Sequence, residues 1–208
     1  MNKCVMAAFA VCGVFAMAGV AVGQEAAAGS IQGKISVSGV RSPKDVLVYV
    51  EQAPGEYEPP EEPVTMDQVR MVFVPHVLPI VKGTTVKYLN SDPIPHNIMW
   101  LKSKNGAYHQ HNMGKWGKGK ARSFTYEREG HVVLMCNIHP EMEAYIVVLQ
   151  NPFFALVGEE GTYEIKNVPP GNYTVKTWYT QPRRLKSKSA EVAVDAGKAC
   201  ELNFSLSR

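Results

Sequence analysis

Cysteine is scarce in this 208-residue chain: there are four, and two of them, Cys4 and Cys12, lie in an apolar N-terminal stretch. That excludes a miniature scaffold stapled by disulfides, so the folded part must rest on its own core. An excess of one charge is missing too, with Lys+Arg 22 against Asp+Glu 19. So close a balance argues against a nucleic-acid partner. Beyond residue 22 no segment is apolar for long enough to cross a membrane. There is no internal repeat, no helix of normal length, no nucleotide loop, no zinc-protease helix and no nucleophile elbow. What remains, 45% hydrophobic and 20% charged, is the composition of a globular protein and excludes collagen, coiled coil and a disordered tail.

The N-terminus carries an export pattern. Lys3 supplies a positive charge, residues 4–22 are apolar, and Ala21 and Gly23 place small residues ahead of Gln24. A run of this length also suffices to span a bilayer uncleaved, but its Ala and Gly content and the small-x-small site favour cleavage after Gly23. Residues 1–23 are therefore expected to be a signal peptide and the mature protein to be soluble and periplasmic, or otherwise extracytoplasmic. Cys12 follows Val11, a poor setting for a lipid anchor.

Downstream, apolar residues recur with period two, which predicts an all-β chain. Strands are expected at Ile31–Val37, Val46–Val50, Val69–Val74, Thr84–Leu89, His96–Leu101, Ala121–Tyr126, His131–Cys136, Ala144–Leu149, Tyr163–Ile165, Tyr173–Trp178, Glu191–Val194 and Cys200–Leu206, divided by Gly, Pro, Asn and Asp. QAPGEYEPPEEP, residues 52–63, cannot pack a core and reads as an acidic linker. Gln150, Asn151 and Pro152 mark a second break. The chain thus divides into a flexible stretch 24–30, flanks 31–51 and 150–208, and a central domain 64–149. The first flank offers only two strands, a hairpin too small to stand alone; joined to the second flank it makes a small sandwich.

The flanks resemble the carboxypeptidase-regulatory-like, transthyretin-like sandwich through IQGKISVSG, VLVYVEQ, EEGTYEI and NVPPGNYTVKTW, in that order. The resemblance implies that the central domain is inserted into a discontinuous sandwich. Such modules serve mostly as structural or interaction domains, and some related sandwiches contact carbohydrate.

The central block ends in CNIHPEM, which sets Cys136, His139 and Met142 at C-x2-H-x2-M spacing on one tight loop. His96, in NSDPIPHNIMW, is the candidate fourth ligand at a turn-to-strand junction. Two imidazoles, a thiolate and a weak thioether make the trigonal donor set of electron-transfer copper. MVFVPHVLPIVKGTTVKYLNSDPIPHN followed by CNIHPEM resembles cupredoxins of the plastocyanin and amicyanin group, and the short spacing to Met is most like amicyanin. The whole arrangement also resembles exported bacterial proteins of the methylamine utilisation type, although nothing in the residues identifies methylamine chemistry. The cupredoxin resemblance implies a Greek-key β-sandwich or barrel, one type 1 copper, His96, Cys136 and His139 as equatorial ligands and Met142 as the axial one. It implies that the amide of Asn97, directly after the first histidine, links the ligand loops and holds the ligands in orientation, and it implies a one-electron carrier with an unidentified redox donor and acceptor. Pro93, Ile94, Pro95, Ile138 and Pro140 offer an apolar patch near His139. No coordination position is left open for substrate, which argues against an enzyme.

Other readings stand beside these. Cys136 can be a buried thiol or pair with Cys200, the other mature cysteine. Two His and one Cys also suit zinc, but Met is a poor fourth ligand for it. Cys200 alternates in phase with Leu202, Phe204 and Leu206 as a core thiol does. His109 and His111 would share a face if their segment is a strand, while His76 and His131 belong to no ligand pattern. Two basic clusters, Lys115, Lys118, Lys120 and Arg122 around Trp116, and Arg183, Arg184, Lys186 and Lys188, are solvated faces or a docking patch for an acidic partner. The competing function is a copper-binding or carbohydrate-binding accessory module that carries no electrons.

Overall fold

The structure is a computed structural model that describes residues 27–104, 107–180 and 185–207. The expected signal peptide, together with Arg183 and Arg184 of the second basic cluster, lies outside the described residues. Among the described residues every regular element is a strand, as the period-two pattern predicts. In chain order these are β1 (Gly29–Val37), β2 (Leu47–Val50), β3 (Val64–Val69), β4 (Val72–Val74), β5 (Val77–Val81) and β6 (Thr85–Leu89). There follow β7 (His96–Lys104), β8 (Ala107–Trp116), β9 (Ala121–Thr125), β10 (Gly130–Met135), β11 (Glu143–Leu149) and β12 (Phe154–Leu156). The last are β13 (Thr162–Val168), β14 (Gly171–Trp178), β15 (Ser189–Val194), β16 (Ala199–Glu201) and β17 (Phe204–Leu206).

Two pairs of sheets enclose two cores. In the first pair, β1 joins β13, β16 and β17, and the facing sheet runs β12-β2-β14-β15. Between them lie Ile31 and Ile35 of β1, Val48 and Val50 of β2, Ile165 of β13, Val175 of β14 and Phe204 of β17. In the second pair, β5-β11-β10-β7-β8 faces β4-β3-β6-β9, and the core holds Met66, Val86, Tyr88, Ile98, Trp100, Leu134 and Ile146. A third apolar cluster joins the two halves: Leu47, Tyr49, Phe154 and Trp178 from one side meet Val77, Tyr145, Val147 and Leu149 from the other.

That third cluster explains two segments that alternation alone describes poorly. On β11, Ala144, Ile146 and Val148 enter the second core while Tyr145, Val147 and Leu149 enter the third. β2 divides likewise, with Val48 and Val50 inward and Leu47 and Tyr49 outward. A strand covered on both faces needs apolar side chains at every position, hence LVYV and AYIVVL.

Several expectations require correction. Residues 31–51 do not form a hairpin: β1 and β2 lie in different sheets, because the chain between them crosses from one layer to the other. β1 begins at Gly29, inside the stretch expected to be flexible, paired there with Val168. Val69–Val74 is not one strand, since Arg70 and Met71 turn the chain back and pair Val69 with Val72. β5, which contains Pro79, was not expected as a strand. It is tolerated because β5 is the edge strand of its sheet. β8, polar enough to hide its period, is the long partner of β7.

Along β1 the partner changes from β16 to β17, and the interruption is Leu202 and Asn203. Asn203 Oδ1 accepts the Lys34 amide at 2.6 Å in place of a backbone carbonyl. A Cβ on Gly33 would stand 1.9 Å from the Leu202 carbonyl oxygen. Gly33→Ala is therefore expected to force the strands apart and cost roughly 1–3 kcal/mol. Thermal unfolding of the two proteins measures this, and an unchanged midpoint would contradict the packing described.

Candidate metal centre

The site is made by two loops at one end of the second core. The first, Asn90–Pro95, leads into β7. Asn90 pins it, its amide donating to the carbonyls of Ile94 at 3.0 Å and Trp116 at 2.9 Å while its Oδ1 accepts the Asp92 amide. The Gln68 carbonyl of β3 accepts the amides of Ser91 and Asp92. His96 thus enters β7 with its backbone fixed and its side chain fully buried.

The second loop joins β10 to β11. It closes on itself: the Cys136 amide donates to the Met142 carbonyl at 3.2 Å, and the Met142 amide to the His139 carbonyl at 3.0 Å. Asn97 ties the two loops together, its Oδ1 accepting the Asn137 amide at 3.1 Å and the Cys136 thiol at 3.3 Å. Its own amide nitrogen donates to Asn112 of β8. Such bonds fix the orientation of the groups at the centre.

Among the described residues one group of three metal-capable side chains converges, His96, Cys136 and His139, with ligand atoms all within 4.8 Å of one another. The two imidazoles turn their Nδ1 atoms toward each other at 2.9 Å. His96 and Cys136 are buried and His139 half-buried, while Met142 is wholly buried in the same core. The donor chemistry fits copper: imidazole nitrogens suit either oxidation state, and thiolate and thioether sulfurs suit the reduced one.

Asp92, which the sequence presents only as loop punctuation, belongs to the site. Its Oδ2 lies 2.8 Å from His96 Nε2 and 2.8 Å from the Met71 amide, and its Oδ1 accepts the Arg70 amide. Burial works to raise its carboxyl, but the amides of Met71 and Arg70 and the ring of His96 outweigh this and hold it below the usual carboxylate range. An Asp four residues ahead of a ligand-type His was the available signal.

The remaining residues are placed elsewhere. Cys200 is a free thiol against the first core and Cys136 is free, so they are not paired. His109 and His111 lie on β8, where the His111 ring packs 4.1 Å from Trp100. His76 pairs with Asp45 at 3.0 Å and stacks edge-on against Tyr145; His131 lies 6.1 Å from the Trp178 ring. Arg122 sits over Trp116 at 5.8 Å. Ile94 and Ile138, one on each site loop, are exposed.

Residues 61–149 match the family model for copper binding proteins of the plastocyanin/azurin family. This part of the chain is a plastocyanin/azurin-family copper-binding domain, and copper is its cofactor. Solved structures similar to the chain include a copper-containing nitrite reductase from Thermus scotoductus SA-01, with 28% identity, a TM-score of 0.39, and 49% of this chain and 25% of that one covered. Another is the reduced Cu(I) form of an amicyanin mutant, at 22% identity and a TM-score of 0.39, covering 49% of this chain and 97% of that one. A purple cupredoxin from Nitrosopumilus maritimus is 26% identical with a TM-score of 0.36, covering 41% and 98%. The chain spans a quarter of the length of the nitrite reductase. No curated protein matches it. Among the described residues no helix is long and apolar enough to cross a membrane.

Proposed function

We propose that the protein is an exported type 1 copper protein that carries single electrons, with His96, Cys136 and His139 as equatorial ligands and Met142 as the axial one. The observation that carries the reading is the convergence of His96, Cys136 and His139 beside the buried Met142. Bound copper would supply a one-electron couple between its two oxidation states. The chain's part is to hold the donors still. The closed Cys136–Met142 loop, the Asn97 bridge and the pinned Asn90–Pro95 loop give them one arrangement, so that little has to move when the charge at the centre changes. Half-buried His139, with exposed Ile94 and Ile138 on the site loops, offers a partner an apolar surface close to the metal. Export rests on the Lys3, Ala21 and Gly23 pattern.

We read residues 31–51 with 150–208 as a discontinuous carboxypeptidase-regulatory-like sandwich into which the copper domain, 64–149, is inserted. Support comes from β1 pairing with β13, β16 and β17, and β2 with β12 and β14. Gln150 also binds both the amide and the carbonyl of Ala53, which brings the two chain crossings side by side.

The deciding measurement is the visible spectrum and voltammetry of the copper-loaded protein. An intense thiolate-to-copper band and a reversible wave are expected; copper binding without a wave would favour an accessory module. Met142→Gln is expected to retain copper and lower the reduction potential, because a harder oxygen donor stabilises Cu(II). Loss of the metal in that variant would show that Met142 does more than tune it.

A further inference from the structure

The sheet β5-β11-β10-β7-β8 has an inner face on the second core and an outer face that the flanking sheets cover on one side. Side chains alternate between the two faces. On β7, Ile98 and Trp100 enter the core, so Met99 and Leu101 turn outward; on β10, Leu134 and Cys136 enter it, so Val133 and Met135 turn outward. Val133 packs with Tyr145, Val147 and Leu149 in the third apolar cluster. Beyond it the face opens to solvent. Leu101 is 56% exposed, and Met99 and Met135 are half-buried. Among the described residues, neither methionine packs into any of the three clusters.

Met99 and Met135 stand directly opposite each other on antiparallel strands, which sets their Cβ atoms about 5 Å apart on one face. The row ends in exposed polar residues on both sides, Glu143 opposite Met135 on β11 and Asn112 opposite Met99 on β8. Gln110 Nε2 donates to Met99 Sδ at 3.1 Å, so this sulfur is presented as an acceptor and not sunk in hydrocarbon. Packing does not call for methionine here. An open sheet face suits β-branched, aromatic or charged residues, and the flexible thioether fills irregular gaps in cores, as buried Met66 and Met142 do.

We propose that Met99 and Met135 form a second metal site, on the outer face of the sheet, that takes Cu(I) as cargo. Thioether sulfur is a soft donor that suits Cu(I), whereas Cu(II) asks for nitrogen and oxygen. Three rotatable bonds let each side chain swing its sulfur over the gap between the strands, and the fixed register brings both to one ion. Glu143, to which the Tyr145 hydroxyl donates, puts a carboxylate one strand away from the bound cation. The site is separate from the centre between the loops. Met135 precedes Cys136 in the chain, but alternation sends their sulfurs to opposite faces of the sheet. The inference therefore goes beyond the electron-carrier reading and does not rest on it.

The test is a titration of the metal-free, full-length protein, its methionine methyls labelled with carbon-13, with Ag(I), a soft univalent ion that stays in one oxidation state. Once the thiols are filled, the Met99 and Met135 methyl resonances are expected to shift together, with one endpoint. They should do so ahead of Met71, which is 43% exposed at its hairpin tip and serves as the single-thioether control. Met99→Leu and Met135→Leu nearly conserve volume. Each should weaken binding at the remaining thioether at least about tenfold, and unmoved Met66 and Met142 resonances in the variants report an intact fold. The joint shift should persist in Cys136→Ser. Supplied anaerobically as Cu(I) against a chromogenic chelator, the metal should be held by the natural chain in about one equivalent more than by the double variant.

Three results overturn the proposal. Met99 and Met135 that respond no earlier than Met71 are independent surface thioethers. A joint shift that vanishes in Cys136→Ser is an echo of the buried centre. Equal Cu(I) equivalents in the natural chain and the double variant leave the pair without an ion to hold.

Discussion

Replacing Cys136 by serine is expected to leave the copper-loaded protein without its intense visible band and without a reversible redox wave. The band requires a sulfur-to-metal charge transfer that a hydroxyl oxygen does not supply. The fold should be indifferent to the change. Cys136 is buried and its sulfur donates to Asn97 Oδ1 at 3.3 Å; a serine hydroxyl is smaller and a better donor to the same oxygen. Far-ultraviolet circular dichroism and the visible spectrum measured on one sample separate the two effects. Retention of the band in Cys136→Ser would place the colour on some other group and end the type 1 reading.

Deleting residues 24–51 is expected to unfold the C-terminal flank while the copper band survives almost unchanged. β1 is the strand to which β13, β16 and β17 all bond, and β2 supplies Val48 and Val50 to the first core. Truncating a single such side chain costs roughly 2–5 kcal/mol, and removing both strands exceeds the total stability of an ordinary domain. The proposed copper ligands draw on none of these residues. A polypeptide of residues 64–149 should accordingly bind copper by itself, but with Val77, Tyr145, Val147 and Leu149 uncovered it should be less stable than the same segment in the whole chain and prone to self-association. Denaturant unfolding followed at the visible band, with sedimentation of the fragment, tests this. If the fragment neither folds nor takes up copper, the central domain is not a unit of its own.

The convergence of metal-capable side chains was legible because CNIHPEM puts Cys136 and His139, with Met142, on seven consecutive residues. His96 was legible because a histidine at the mouth of an apolar strand stands out. The all-β class followed from alternation wherever one face of a strand is dry and the other wet. Legibility failed where that condition does not hold. Among the described side chains of β8, Met113 and Trp116 are the apolar ones in contact with the second core, so its period drowns in polar residues. β5 is interrupted by Pro79, which only its edge position excuses. The Arg70–Met71 turn has no turn-forming residue at all, because its conformation is imposed from position 92, far along the chain. Asp92 was missed for the same reason: its importance lies in three partners contributed by two other segments. The layer change between β1 and β2 was equally invisible, since a strand's own sequence records that it is covered but not by which sheet.

The third apolar cluster also has a mechanical meaning. A carrier unit joined to its neighbour by a single linker swings about it, and the reach of its metal is set by linker length. Here β11 leads from the metal loop at Glu143 to Leu149, where Gln150 bonds back to Ala53. Along that length, roughly 20 Å at the rise of an extended chain, its Tyr145, Val147 and Leu149 are seated against β2, β12 and β14. Two adjacent strand crossings and a greased face between them clamp the unit as a bracket does, with no pivot left to turn on. Copper held there would move only with the sheets on which the unit is seated, so an electron carrier built this way would meet its partner by whole-body encounter at the open end, and anything that grips the flanking sheets would fix the direction in which that end points.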